Sequence, residues 1–410
     1  MDGRSRIEVH GVDTQLVVWD SSGTKRLERN GIFPRLTIAG GASVEPPSEL
    51  SDAIRRAWGM DTVLVRVTQE ATAEVEYRGG PLPAGFRWHP AMTTPAPELR
   101  AAWHRPGWLS AVMAEVDAAL SRLGRSRTGP PRQQRHTTIT GIMEIPTPRG
   151  PVWLKTLLPI FAHEPRVIRC AGTFADVILP SVIVEGDGWW LSEPFPRETS
   201  RPADHFLTAM AEIQIASALH VDELRARGCP NRPLRSLPAD VAELSQRRDL
   251  VTPGQGEGLG AVLPRLMDLC HAVDDLGLPD TLVHGDLNPE NVRPTRNGWM
   301  LFDWTDACVG NPVVDVALAV DKEPDDRRAE AISAYAARWS RVLPADRVEH
   351  AVRAAPAIGA AHQAVSYRWI LDAVDRSAAD SSNGNQMLGL LRYWVDRLTN
   401  TLGSTSSPIG

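Results

Sequence analysis

Between Thr281 and Asp315 short apolar runs alternate with polar residues in an order that core packing does not require, and no other stretch constrains the architecture as strongly. The segment reads Leu282-Val283-His284-Gly285-Asp286-Leu287-Asn288-Pro289-Glu290-Asn291 and then, after a gap, Trp299-Met300-Leu301-Phe302-Asp303-Trp304. Apolar flanks imply strands, and the Pro-containing polar stretch between them implies a loop. That loop holds an acid and an amide five positions apart, with a second acid twelve positions beyond the amide. Phosphoryl transfer needs little covalent help from a protein. It needs gripped phosphates, a metal to offset their charge and an acceptor hydroxyl held in line. Asp286 is suited to orient a hydroxyl and take its proton, while Asn291 and Asp303 offer the hard oxygens that Mg²⁺ prefers.

The rest of the chain sets the frame around that loop. With 44 Lys and Arg against 50 Asp and Glu in 410 residues, the net charge of −6 gives no general attraction to nucleic acid or to an anionic membrane surface, so the expected partner is a small molecule. The four cysteines, Cys170, Cys229, Cys270 and Cys308, form no Cys-x-x-Cys pair and lie near no His cluster, which argues against a zinc site or a disulfide framework. No run approaches the ~18 apolar residues of a membrane span, and the opening MDGRSRIEVHGVD lacks the apolar stretch of a leader peptide. The expected location is cytoplasmic.

Composition divides the chain into an accessory α+β domain over 1–100, a connector helix and linker over 101–131, a β-rich lobe over 132–196, a helical lobe over 197–402 and a tail over 403–410. In the first part, β-like runs at Leu16–Trp19, Thr62–Val67 and Ala73–Tyr77 surround a helix at Ser51–Trp58. The connector, Trp108 to Leu123, places Leu109, Val112, Met113, Val116 and Leu120 on one helical face. Ile142–Ile145 and Val152–Lys155 flank Pro146-Thr147-Pro148-Arg149-Gly150 and predict a hairpin. Further strands are expected at Val177–Leu179 and Trp189–Ser192. Helical spacing then dominates over His205–His220, Val262–Asp275, Ala329–Val342, Ala351–Asp375 and Gln386–Leu402.

HGDLNPEN followed by FDW resembles the catalytic loop and metal-binding motif of the aminoglycoside phosphotransferase family, small-molecule kinases similar in fold to protein kinases. Gly310-Asn311-Pro312-Val313-Val314-Asp315 resembles that family's G-x-P-x-x-D segment. The resemblance covers about residues 132–400 and is most specific over 284–315. It implies a protein-kinase-like, two-lobed α+β fold preceded by the accessory domain, with ATP and Mg²⁺ as cofactors. It also implies Asp286 as the catalytic acid residue, Asn291 and Asp303 as magnesium ligands, His284 as an orienting group and Asp315 as a brace of the loop.

Upstream, Lys155 in Val152-Trp153-Leu154-Lys155 resembles the phosphate-binding lysine of the small lobe, and Glu164 in Phe161-Ala162-His163-Glu164-Pro165 resembles its acidic partner. Pro165 places Glu164 near a helix start. The glycine-rich loop of kinases is replaced by His136-Thr137-Thr138-Ile139-Thr140-Gly141, where Thr138 and Thr140 are candidate phosphate contacts. Glu193, in Trp190-Leu191-Ser192-Glu193-Pro194, falls at the expected adenine-binding hinge; Trp189 and Trp190 read as core.

For the acceptor, the eleven acids and eleven bases between Asp321 and Asn400 cancel, which disfavours a polycationic aminoglycoside. His362, Tyr367, Trp369 and Asp372, on one predicted helix, are the substrate candidates. Ile38 to Gly59 faintly resembles the glycine-loop-helix element of a Nudix domain. Arg55-Arg56-Ala57-Trp58 stands where that family needs metal-binding glutamates, so no hydrolase activity is expected there. The expected function is an ATP-dependent phosphotransferase acting on a hydroxyl of a sugar, amino alcohol, nucleoside or antibiotic-like molecule. A catalytically silent nucleotide-binding regulator of the same fold is the alternative, and joint retention of Asp286, Asn291 and Asp303 argues against it.

Overall fold

The computed structural model describes residues 11–39, 41–69, 72–91, 99–200, 202, 204–375 and 381–404. Six strands and one helix come first: β1 (Gly11–Trp19), β2 (Lys25–Glu28), β3 (Arg35–Ala39), α1 (Ser48–Trp58), β4 (Asp61–Gln69), β5 (Thr72–Gly79) and β6 (Arg87–Pro90). They form one sheet in the order β4-β5-β1-β2-β6, with β3 on β1. Strands β1 and β5 run parallel, Gln15 opposite Thr72, and the connection between them carries α1. Alternation along β1 turns Leu16 and Val18 inward, where they join Leu27, Ile38, Leu50, Ile54, Leu64 and Val75 in a single core.

Helix α2 (Trp108–Arg122) follows, then β7 (Arg132–His136), β8 (Gly141–Ile145), β9 (Val152–Thr156), α3 (Glu164–Phe174), β10 (Val182–Gly186) and β11 (Trp189–Ser192). The second sheet has the order β10-β11-β9-β8-β7. The segment expected as a connector is itself packed: the apolar face of α2 lies in one core with Met143, Ile145, Val152, Leu154, Trp189 and Leu191 of this sheet. Trp189 and Trp190 are buried, as expected of core residues. The strand expected at Val177–Leu179 is absent; Ile178 makes only an isolated parallel bridge to Met300. Apolar composition alone does not supply the neighbouring backbone that a strand requires.

The remainder is mainly helical: α4 (Phe206–Ser217), α5 (Val221–Ala226), β12 (Asn231–Arg232), α6 (Leu237–Ser245), α7 (Pro253–Asp274), β13 (Thr281–Val283), β14 (Val292–Thr295), β15 (Gly298–Leu301), β16 (Cys308–Gly310), α8 (Val313–Val320), α9 (Asp325–Trp339), α10 (Ala345–Val352), α11 (Ala355–Ala373) and α12 (Ser381–Gly403). Helix α7 begins nine residues before the expected Val262, although that extension holds glycines at 254, 256, 258 and 260. A capping box of Thr252 and Gln255, with Pro253 in the first turn, opens it. One of those glycines is required by packing, because a Cβ on Gly256 would stand 2.7 Å from the Ser245 carbonyl oxygen.

Two compact units result. The first takes its described residues from Met1–Leu158, Ile183–Pro194 and Ala373–Asn385, so it contains both large sheets. The second takes them from Pro159–Val182, Phe195–Asp372 and Gln386–Gly410 and holds α3 together with the helical region. Among the described residues all four cysteines are free and buried, and no helix is long and apolar enough to cross a membrane.

Candidate active site

The polar loop after β13 is held from below by one buried carboxylate. Asp315, in the first turn of α8, accepts hydrogen bonds from the His284 amide (3.0 Å), the Gly285 amide (2.9 Å) and the Gln214 side chain (2.9 Å). Gln214 in turn accepts from the Tyr335 hydroxyl at 2.7 Å. Burial pushes the Asp315 carboxyl up to about 6, against the lowering effect of those three donors. Asp315 is therefore a brace for the loop rather than a cap of its own helix.

His284 is also structural. Its Nδ1 faces the Asp286 amide at 3.4 Å and its Nε2 faces the Phe302 carbonyl at 3.1 Å, an arrangement suited to the neutral ring with its proton on Nε2. Gly285 has φ +84°, and a Cβ there would stand 2.2 Å from the Asp306 carbonyl oxygen. Only glycine fits this position, which lets the loop pass directly under Asp306.

Asp286 is half-buried and gripped by amides. The Asn291 side chain donates to its Oδ2 and to its backbone carbonyl, both at 2.9 Å, and Asn288 donates to its Oδ1 at 3.1 Å. The carboxyl is nevertheless pushed up to about 8, first by burial and then by the charges of Asp306 and Asp303, with the Asn288 and Asn291 bonds pulling the other way. Asp303 occupies the left-handed region at φ 63°, ψ 63°, rare for a residue with a side chain, and accepts from the Thr305 hydroxyl at 3.0 Å. Concentrated negative charge beside an amide oxygen suits a hard divalent cation, and two protein oxygens are about what Mg²⁺ takes when phosphates fill other positions. Asn291 and Asp303 are the residues that fit it.

Glu164 is fully buried in the first turn of α3, and its Oε1 accepts from the Trp304 amide at 3.0 Å. The carboxylate expected as a partner for lysine thus also fixes the turn that carries Asp303. Beside it His163 is held neutral, burial pulling its ring down to about 4.

The substrate candidates on α11 separate. Tyr367 is half-buried, and its hydroxyl is raised above the ordinary range first by burial and then by Asp286 and Asp306, so it faces the acids. His362 and Trp369 instead hold Arg232. The guanidinium bonds His362 Nε2 at 2.9 Å and the Ser366 hydroxyl at 2.7 Å, and it lies 4.4 Å from the Trp369 ring centre. Asp372 is spent at the surface on Arg247, at 2.7 Å. Aromatic and polar residues at helical spacing thus belong to a buried cation and an ion pair.

Lys155 is half-buried on β9, in register with Ile142 on β8 and Trp190 on β11. The Thr140 hydroxyl donates to the Thr156 carbonyl at 3.2 Å, and Thr138, its hydroxyl buried, lines a small cavity with Arg66, Arg100 and His104. Both hydroxyls proposed as phosphate contacts are buried. Glu193 pairs with Arg125.

Sequence reasoning passed over Asp306, Gln214 and Gln363, the last donating to the Gly285 carbonyl. For Asp306 a signal existed, since it lies three positions beyond Asp303 in the same polar turn. The two glutamines act across 78 to 101 residues of sequence and left none.

An acid seated on amides in a strand-flanked loop, a second acid in the following turn and a third bracing the loop make one connected polar site. Residues 180–354 match the APH family model, the "Phosphotransferase enzyme family", and over that segment the resemblance to the aminoglycoside phosphotransferase family holds. The structure is similar to that of "Macrolide 2'-phosphotransferase type I", with TM-score 0.50 and 19% identity over 68% of this chain and 97% of that one. It also matches the macrolide 2'-phosphotransferase MphH of Brachybacterium faecium (TM-score 0.44, 18% identity, 68% and 97% covered) and an ethanolamine kinase of Plasmodium vivax (0.46, 10%, 63% and 80%). No curated protein matches the sequence.

Proposed function

We propose that the enzyme transfers the γ-phosphoryl group of ATP to a hydroxyl of an uncharged or weakly charged small molecule, with Mg²⁺ as metal. The observation that carries this reading is Asp286, fixed by Asn291 and Asn288 on a loop that Asp315 holds from beneath. Asp286 orients the acceptor hydroxyl and takes its proton as the new oxygen–phosphorus bond forms. The bond from the γ-phosphorus to the bridging oxygen breaks, and ADP leaves. Asn291 and Asp303 would hold Mg²⁺, which offsets phosphate charge when bound. Lys155 is the cation assigned to the α- and β-phosphates, and Glu164 steadies the Asp303 turn. Tyr367, close enough to Asp286 and Asp306 to feel their charge, is the residue of α11 assigned here to the acceptor.

The test is the thermal midpoint with and without ATP and Mg²⁺, since a ligand of the native state stabilises it by RT ln(1 + [L]/Kd). The expected result is a rise that requires Mg²⁺ and disappears in Asp303→Ala, after which acceptor pools are screened by product mass. No rise at millimolar ATP with folded protein contradicts the reading.

A further inference from the structure

The first sheet reaches the Thr137–Thr140 turn through a row of buried bonds, all within one compact unit. Gln133 on β7 acts as a substitute strand: its side-chain oxygen accepts from the Leu64 amide and its side-chain nitrogen donates to the Leu64 carbonyl, both at 2.8 Å. Three residues on, His136 Nε2 meets the Val65 carbonyl at 2.8 Å, and its ring lies 5.0 Å from that of His104. The Trp103 indole N–H donates to the Thr137 carbonyl at 2.8 Å. Thr138 then closes a cavity whose other walls include Arg66, Arg100 and His104. Behind the turn the hold continues into β9: the Gly141 amide donates to the Thr156 hydroxyl at 2.6 Å and the Thr140 hydroxyl to the Thr156 carbonyl, one residue from Lys155.

The turn itself closes on the Thr137 hydroxyl, which accepts from the Thr140 amide at 3.1 Å and donates to the Thr140 carbonyl at 3.0 Å. A loop with a single glycine, so closed and so braced, does not flex onto a ligand as a glycine-rich one can.

We propose that residues 11–104 are a built-in brace of the nucleotide-binding part of the enzyme, with Trp103 and Gln133 as positioning residues that preset the Thr137–Thr140 turn and, through Thr156, the strand of Lys155. The consequence for nucleotide rests on the phosphotransferase reading; the bracing of the turn does not. The brace lowers the ordering cost of binding, so loosening it weakens nucleotide affinity without removing any group that touches phosphate.

The experiment compares Trp103→Phe, which keeps a ring and deletes the donor, Gln133→Leu, and Leu27→Ala on β2, three places from β4 in the strand order, as a control that lowers the stability of the first sheet. Amide exchange and MgATP dissociation constants are measured on the full chain, with circular dichroism confirming folding. Trp103→Phe and Gln133→Leu should each speed exchange of the 138–141 amides and weaken MgATP about five- to tenfold, the effect of one or two lost buried bonds. Leu27→Ala should do neither. Unchanged exchange at 138–141 in both folded variants overturns the proposal, as does an equal change in Leu27→Ala. Absence of MgATP binding by the unsubstituted chain overturns the phosphotransferase reading and the nucleotide consequence together, while the exchange data still decide the brace.

Discussion

The loop at 284–291 and the turn at 137–140 are both polar, both follow a strand and both are held by buried side chains, yet they are held in opposite ways. Under the first sits a carboxylate, Asp315, accepting two backbone amides. Behind the second sit an amide, an imidazole and an indole, Gln133, His136 and Trp103, each meeting the backbone without formal charge. A charged brace costs desolvation and tightens its hydrogen bonds; a neutral brace is cheaper to bury.

The largest difference should appear on removing the acid that the first loop exists to present. Asp286→Ala should lower phosphoryl transfer by about 10³-fold or more with MgATP binding largely kept, read from the maximal rate and the dissociation constant. An unreduced rate would contradict the role. Next, Asp315→Ala leaves the His284 and Gly285 amides without their acceptor and should cost about 2–4 kcal/mol of unfolding free energy in urea. A cost under about 1 kcal/mol would mean that water replaces the brace.

The pH dependence separates the two braces further. Burial holds His136 down to about 4, while in the unfolded chain it titrates near its usual 6.5. Between those values the unfolded state binds the extra proton, so this group's contribution to stability rises with pH across the window and is lost as pH falls through it. Asp315, raised to about 6 from 3.8, has the opposite sign: between those values the folded state binds the extra proton, and its contribution falls as pH rises. Replacing His136 by Asn should remove up to about 1.4 kcal/mol per pH unit of positive slope between pH 4 and 6.5. An unaltered slope would show that His136 is accessible to protons in the folded chain. The smallest effect is expected at Asp372, whose pair with Arg247 lies at the surface: Asp372→Ala should change stability by at most about 0.5 kcal/mol and leave acceptor affinity unchanged.

This contrast also explains what could be read from the sequence. The residues of the loop at 284–291 and of the turn and helix after it lie close in sequence, so Asp286, Asn291, Asp303 and Asp315 fall within thirty positions in a recognisable order. The turn at 137–140 depends on partners chosen for reach alone, such as Leu64, 69 positions before Gln133. A glutamine that stands in for a strand carries no periodic signal. The apolar face of α2, the helical spacing of α4 and the hairpin of β8 and β9 were legible for the usual reasons of period and turn chemistry. The start of α7 was not, because four glycines interrupt its helical signal and one of them, Gly256, answers to the Ser245 carbonyl of another helix. On α11 the apolar and aromatic pattern was visible, but the buried Arg232 that organises His362 and Trp369 comes from a two-residue strand 130 positions earlier.

Asp303 has a backbone that turns left-handed, and this filters what can replace it. Asparagine tolerates that conformation and glycine prefers it, whereas alanine or glutamate must strain or rearrange the turn. The substitutions open to drift at this position are therefore those that keep the turn's shape while discarding the charge. A lineage that lost its chemistry here would retain its architecture, and Asn or Gly at 303 would be the fossil left in the sequence.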